Sequence, residues 1–301
     1  MRELIVYQVD SFTKEKFKGN PAGVVLNADS LSEVEMLKIA RELNNSETAF
    51  ILSPKDKSYD VEIRYFTPKM EVPICGHATI AAHYVRAIEQ NLDSSIVLSK
   101  TGVGILPVEI IKEEGDYSIE MTQGKIEFTP PFESDIRNKI LEFLGISEED
   151  VNQKCPIQIV STGHSKVIIG INSKEKLDNL KPNMGMLEKL SKEINCNGYF
   201  IFTLDSQQKG IYTYGRMFAP AVGIIEDPVT GNANGPLGAY LVNHNLIEHD
   251  GKEVIFNAEQ GSAIDRSGII IVKVKIEDKK AKEIKIKGDA VIILKGVCNL
   301  I

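Results

Sequence analysis

The chain has no tryptophan, only four cysteines, and no cluster of lysines and arginines. Each absence excludes something. Cys75, Cys155, Cys196 and Cys298 stand far apart among 301 residues, which argues against a disulfide scaffold and against the paired CxxC spacing of a zinc site. His77 and His83 fall on one expected helix six positions apart, so they do not share a face as an i, i+4 pair would; no metal site is expected. The formal net charge is -7 with dispersed Lys and Arg, which leaves no footprint for nucleic acid or an anionic membrane. No apolar run approaches the about 20 residues of a membrane span. The MRELIVYQVD start carries charges inside its short apolar stretch and has no small-residue cleavage site, so a cytoplasmic protein is expected. GxxxxGK[ST] and GxGxxG are also missing, which removes the usual pyrophosphate cradles.

What is present suits small-molecule chemistry in a globular chain. A 43% hydrophobic content over this length fills a sizeable core and makes two lobes the natural expectation. Strand patterns fall at Leu4 to Val9, Ala22 to Leu26, Thr48 to Leu52 and Val61 to Phe66, and a helix is expected over SLSEVEMLKIARELN. Ser32 and Glu35 have the spacing of a capping box. Further strands are expected around Ile96, Ile105 and Ser118, before the polar, proline-bearing QGKIEFTPPFES. The lobe boundary is placed there, giving residues 1–128 and 129–301. SDIRNKILEFLG reads as a helix with a Ser134 cap and a Gly145 stop. Strands are then expected near Ile159, Val167, Phe200, Tyr212, Val254, Ile270 and Val291.

An internal repeat supports two similar lobes. IRYFTP at Ile63 matches GRMFAP at Gly215 in Arg, Phe and Pro, with Arg64 on Arg216. PICGHATIAAHYV aligns with PVTGNANGPLGAY, placing Gly76 on Gly231, and AFIL at Ala49 sits opposite YFIF at Tyr199. Each copy sets Pro, two residues and Gly ahead of a stretch able to form a helix rich in small residues. Such a helix start has amide donors without internal partners and a partial positive charge, and it holds a carboxylate or phosphate readily. One copy alone marks no more than a turn before a core helix. Two copies, if the lobes pack about a pseudo-twofold axis, aim both helix starts into one cleft that takes an anionic substrate.

GNPAGVV, NNSETAFI, ICGHATIAAHYV, STG, RMFAPAVGIIEDPVTGNA and EQGSAIDRSG occur in that order over nearly the whole chain. Together they resemble the phenazine-biosynthesis isomerase (PhzF-like) family, related in fold to diaminopimelate epimerase. CGHAT with EDPVTG is the specific part; GNPAGV alone is weak. The resemblance implies an α+β fold of two pseudo-symmetric lobes, each a barrel-like sheet around a central helix, with a homodimer common and the C-terminal strand able to cross back to the first lobe. It makes Glu47 the catalytic acid/base, with His77 and Asp227 helping to bind and polarise substrate. Gly76 and Gly231 would supply helix-start amides, and Asn232 joins them in substrate binding. Asn232 stands where the family pattern has Ser, and Asn234 where it has His; Asn donates and accepts but cannot carry a proton as His does.

Plainer readings stand beside these. Glu47 by position is a solvated loop glutamate, His77 a helix-start packing residue, and Asp227 before Pro228 a cap or turn residue. In the related epimerases a Cys before Gly at each helix start provides two facing bases. Cys75 fills that place in the first lobe, but Thr230 fills it in the second, and threonine is too weak an acid to replace a thiol. A two-cysteine racemase is therefore disfavoured and Cys75 is expected to be a buried small hydrophobe. The expected activity is cofactor-independent proton movement within a small carboxylate-bearing substrate, with Glu47 as general acid/base. A cysteine-based amino-acid epimerase and a non-catalytic metabolite-binding protein are the alternatives.

Overall fold

The computed structural model describes residues 2–206 and 208–300. The chain forms two compact units, one of residues up to Thr122 together with those from Lys287 onward, the other of Gln123–Ile286. The sequence places the break after residue 128, but β9 (Glu127–Phe128) pairs with β10 (Gln158–Ser161) and so lies in the second unit. The C-terminal stretch lies with the first.

The first unit contains β1 (Arg2–Ser11), β2 (Asn20–Val25), α1 (Glu33–Leu43), β3 (Thr48–Leu52), β4 (Val61–Phe66), β5 (Glu71–Val72), α2 (Gly76–Gln90), β6 (Ser95–Thr101), β7 (Gly104–Glu113) and β8 (Asp116–Thr122). Strands β1, β2, β3, β4, β6, β7 and β8 pair in that order, and β17 (Lys280–Leu300) closes the ring between β8 and β1. The result is an eight-stranded barrel. Helix α2 runs against β1, β2, β3, β7 and β8. Its residues from Gly76 to Val85 are all buried, which is possible because Ala78, Ala81 and Ala82 let strands approach from every side. A helix apolar all round belongs inside a core.

Helix α1 lies on the outside of this sheet. Ser32 caps it as expected: Glu35 N–H donates to Ser32 Oγ at 3.4 Å and Ser32 N–H donates to Glu35 Oε2 at 2.8 Å. Met36, Ile39 and Ala40 face the sheet and pack with Val25, Phe50 and Phe66. Asn44 stops the helix in the left-handed conformation, with φ 52°, a role Asn fills more readily than most residues.

The second unit repeats the plan. It contains β9, α3 (Ser134–Leu144), β10, β11 (Ser165–Ile171), α4 (Lys174–Asp178), α5 (Met184–Ile194), β12 (Tyr199–Thr203), β13 (Thr213–Ala219), β14 (Ile224–Asp227), α6 (Gly231–Asn243), β15 (Glu253–Gln260), β16 (Gly268–Glu277) and the beginning of β17. The order of pairings matches the first unit. β2∥β3 corresponds to β11∥β12, β3–β4 to β12–β13, β4∥β6 to β13∥β15, and β6–β7 to β15–β16. The start of α3 differs by one residue from expectation: Glu133 occupies the cap position and Ser134 is the first helical residue, with no side-chain cap bond. Gly145, at φ 70°, ends it as expected. Leu187 and Leu190 of α5 and Ile140 and Leu144 of α3 cover Val167, Ile169, Tyr199 and Ile201 on the sheet. Helix α6 packs on β10, β11 and β16. A Cβ at Gly238 would lie 2.7 Å from Val272 Cγ1, so only glycine permits that approach.

The repeated Arg-x-Phe fixes each unit in the same way. Arg64 forks onto Glu71 with bonds of 2.7 and 2.5 Å, and its guanidinium lies 5.2 Å above the Phe66 ring. Arg216 forks onto Glu226 at 2.9 and 2.7 Å and lies 5.0 Å above Phe218. Arg216 also donates to the carbonyls of Leu177, Asp178 and Leu180, at 3.0, 3.1 and 3.1 Å. Those bonds tie the end of α4 to the sheet and satisfy a buried charge.

Candidate active site

In the first unit, Cys75 precedes α2 in extended conformation, and the helix begins at Gly76. Three bonds hold that first turn in place. Ser11 Oγ donates to the His77 carbonyl at 2.8 Å, Thr79 Oγ1 donates to the Cys75 carbonyl at 2.7 Å, and Tyr65 Oη sits 2.7 Å from Thr79 Oγ1. Burial pushes the Tyr65 phenol well above its usual range, so it stays a neutral hydrogen-bonding group.

Glu47 sits between α1 and β3, where its carbonyl accepts from Gly23 N–H at 3.1 Å. Its side chain reaches His77: Oε2 lies 3.5 Å from Nε2, with the two side chains 15% and 7% exposed. Ser46 Oγ is 3.2 Å from the same nitrogen, and Cys75 Sγ is 3.3 Å from Nδ1. The imidazole therefore spans a thiol on one side and a hydroxyl and carboxylate on the other. Such a set can take a proton, hold it and return it. Ligating atoms of Glu47, Cys75 and His77 all lie within 4.8 Å of one another, near enough together to hold a metal ion. Each of the three also has a hydrogen-bonding or ionic neighbour within the set.

A Cβ at Gly76 would meet nothing within 4 Å. Packing does not demand glycine there; its lack of a side chain leaves the helix-start backbone open to a close neighbour.

The corresponding entry in the second unit is held differently. Thr230 Oγ1 donates to Asp227 Oδ2, and Gln260 completes the turn. Gln260 Nε2 donates to the Asp227 carbonyl at 2.7 Å, while its Oε1 accepts from Thr230 N–H at 3.0 Å and from Asn234 Nδ2 at 2.9 Å. Asn234 Nδ2 also donates to the Thr230 carbonyl at 3.0 Å. Asp227 thus holds the hydroxyl of Thr230, the residue just before α6, and Asn234 has a structural role in the same turn. Gly231 differs from Gly76, because a Cβ on it would lie 2.4 Å from Ile286 Cδ1. Gln123 Nε2 donates to the Gly231 carbonyl at 2.9 Å and lies 3.5 Å from Asn232 Oδ1.

The structure brings Glu47 and His77 together and adds Cys75 and Ser46 to them. It gathers Asp227, Gly231 and Asn232 within one helix entry. Ser46 and Gln260 escape a reading from sequence, although both stand inside recognised motifs, NNSETAF and EQGSA. Cys75 is buried as expected, yet its sulfur also faces an imidazole nitrogen.

Comparison with known proteins gives the family of the chain. Residues 9–296 match the phenazine biosynthesis-like protein family. An uncharacterised isomerase of Clostridium acetobutylicum is 59% identical over 98% of this chain and 98% of its own length. The trans-2,3-dihydro-3-hydroxyanthranilate isomerase of Pseudomonas chlororaphis is 30% identical, covering 97% of this chain and 98% of its own. The crystal structure of a PhzF-family phenazine biosynthesis protein from Bacillus anthracis superposes with a TM-score of 0.90 at 32% identity, covering the whole of both chains.

Proposed function

Because the chain belongs to the phenazine biosynthesis-like family and is an isomerase, we propose that it moves a proton within a small carboxylate-bearing substrate, with Glu47 as the general acid/base. The observation that carries this reading is the Glu47–His77 pair beside the open start of α2. In it, Glu47 takes a proton from substrate carbon and returns it elsewhere on the same molecule. His77, held by Cys75 at Nδ1, keeps the carboxylate oriented and polarises the substrate. Charge that develops as the proton moves is met by fixed backbone donors at the helix starts, which need no reorganisation during the reaction. Asp227, Gly76, Gly231 and Asn232 bind substrate in this reading. A cytoplasmic homodimer acting on a small molecule belongs to the same proposal.

The name of the Pseudomonas relative supplies a first substrate to try. Incubation of the protein with trans-2,3-dihydro-3-hydroxyanthranilate and other unsaturated amino or hydroxy acids in deuterated water, followed by mass spectrometry, should show isomerised product carrying solvent label. Ligand binding without label or product in any of them would instead favour a metabolite-binding protein.

A further inference from the structure

Three side chains that the first unit brings together carry the donor atoms of a metal site. Cys75 stands in extended backbone just before α2, His77 lies in the first turn of that helix, and Glu47 directly precedes β3. Cys75 Sγ lies 3.3 Å from His77 Nδ1, and Glu47 Oε2 lies 3.5 Å from Nε2. One ligating atom of each residue lies within 4.8 Å of those of the other two, and this is the one such group among the described residues. The sequence hides it, because Glu47 comes from a distant segment and Cys75 and His77 are two apart rather than in a familiar metal-binding spacing.

The spacing suits a tetrahedral ion. Zinc bonds of about 2.3 Å to sulfur and about 2.0–2.2 Å to nitrogen and oxygen set neighbouring ligand atoms about 3.4–3.6 Å apart. The sulfur and Nδ1 already meet that separation to within a few tenths of an ångström. An ion takes one nitrogen of a ring. With the ion on Nδ1 beside the sulfur, the Glu47 carboxylate swings over from Nε2 to complete the set, and Glu47 is the least buried of the three. The donors also select the ion: a thiolate, an imidazole and a carboxylate suit zinc, whereas calcium and magnesium take oxygen ligands. An imidazole that only needs orienting is usually held by a carbonyl or a carboxylate. Here Nδ1 faces a sulfur, which is a weak hydrogen-bonding partner and a strong ligand for a soft metal.

We propose that Cys75, His77 and Glu47 form a site for a single Zn²⁺, and that zinc bound there switches the protein off. The thiol loses its proton to solvent and binds as the thiolate, beside a neutral imidazole nitrogen and the ionised carboxylate. With its oxygen on the ion, Glu47 is no longer placed to take a proton from substrate. Zinc is thus an inhibitor of the reaction proposed above and not its cofactor. The inhibition rests on the isomerase reading; the binding does not.

The test uses chelator-treated protein, calorimetry with Zn²⁺, and Co²⁺ as a spectroscopic substitute. The parent should bind a single Zn²⁺ per chain, and Co²⁺ should give a thiolate-to-cobalt charge-transfer band. Label exchange should fall as zinc binds and return when chelator is added. Cys75→Ser should lose the cobalt band and weaken zinc by about 100-fold or more, since even loss of a residue behind a ligand costs about 10- to 100-fold. Glu47→Gln should keep the band and weaken zinc by about 10- to 100-fold, and it decides the matter if Cys75→Ser fails to fold. A folded parent that shows neither zinc binding nor the cobalt band overturns the site. Equal zinc affinity in the parent and the folded variants also overturns it, by placing the ion elsewhere. Zinc held through Cys75 and Glu47 while exchange continues at full rate retains the site, overturns the switch and removes Glu47 as the base. Zinc held in the same way by a parent that exchanges no label retains the site and removes the isomerase reading.

Discussion

Glu47 Oε2 lies 3.5 Å from His77 Nε2, with both side chains largely shielded from water. At that distance the carboxylate and the imidazole are direct neighbours, and a change to one alters the surroundings of the other. Cys75 and Ser46 hold the ring so that Nε2 faces Glu47, and the buried first turn of α2 holds the ring's backbone.

His77→Gln should therefore lower turnover by about 10²-fold or more, within the range of general acid/base contributions. The double variant with Glu47→Gln should lose little beyond the worse single variant, as expected of groups that work as a unit. Steady-state kinetics of the three variants measures the coupling; additive losses would show that the two residues act separately.

Cys75→Ser preserves size and leaves a hydroxyl in reach of His77 Nδ1, so turnover should change several-fold at most, with a modest loss of stability from burying a hydroxyl. A thiol that itself exchanged substrate protons would give a dead enzyme. Rates of Cys75→Ser and of alkylated protein distinguish the two.

Gln260 is 1% exposed and fastens Asp227, Thr230 and Asn234 to one another. Gln260→Leu leaves those donors and acceptors without their partner in a buried place. It should cost about 2–4 kcal/mol, on the basis of about 1–3 kcal/mol per unsatisfied group. Urea unfolding checks this, and a loss below about 0.5 kcal/mol would mean that the helix entry is held by something else.

His83 sits inside α2, completely buried, with neither ring nitrogen partnered among the described residues. Burial, assisted by Arg86, pushes it from its ordinary 6.5 down to about 3. The unfolded chain takes up a proton below pH 6.5 that the folded chain refuses. Stability from this residue is thus fully present above that pH and falls as pH drops toward 3, by at most about 1.4 kcal/mol per pH unit. His83→Leu should flatten this acid limb. Urea midpoints at pH 7, 5.5 and 4.5 give the comparison; equal slopes for parent and variant would contradict it.

Much of the fold is legible in sequence where local chemistry and repetition agree. The Ser32–Glu35 box, the Gly145 stop and the Arg-x-Phe repeat all report local constraints, and each appears in the structure. Aligning AFIL with YFIF sets Phe50 on Phe200, whereas the strand register sets it on Ile201: Phe50 pairs with Arg64 and Ile201 with Arg216. The slip of one residue arises because similarity of side chains says nothing about hydrogen-bonding partners. Helix α5 escapes a pattern reading although Asn183 caps it, with Met186 N–H donating to Oδ1 at 3.2 Å, and Leu187 and Leu190 face the core. At the site, Glu47 and His77 are identifiable from motifs. Their distance depends on strand pairings between distant segments, which leave no local mark. The sulfur at Nδ1 depends on the extended backbone of Cys75 just before α2, which the residue types alone do not reveal.

The most direct measurement is solvent-label exchange by Glu47→Gln against the parent, on the substrate that the parent turns over. The variant retains shape and hydrogen-bonding capacity but cannot carry the proton. Exchange should fall by at least about 10²- to 10⁴-fold while calorimetric binding of substrate survives. Exchange at the parent's rate, with Cys75→Ser inactive, would contradict the account and make the thiol the base.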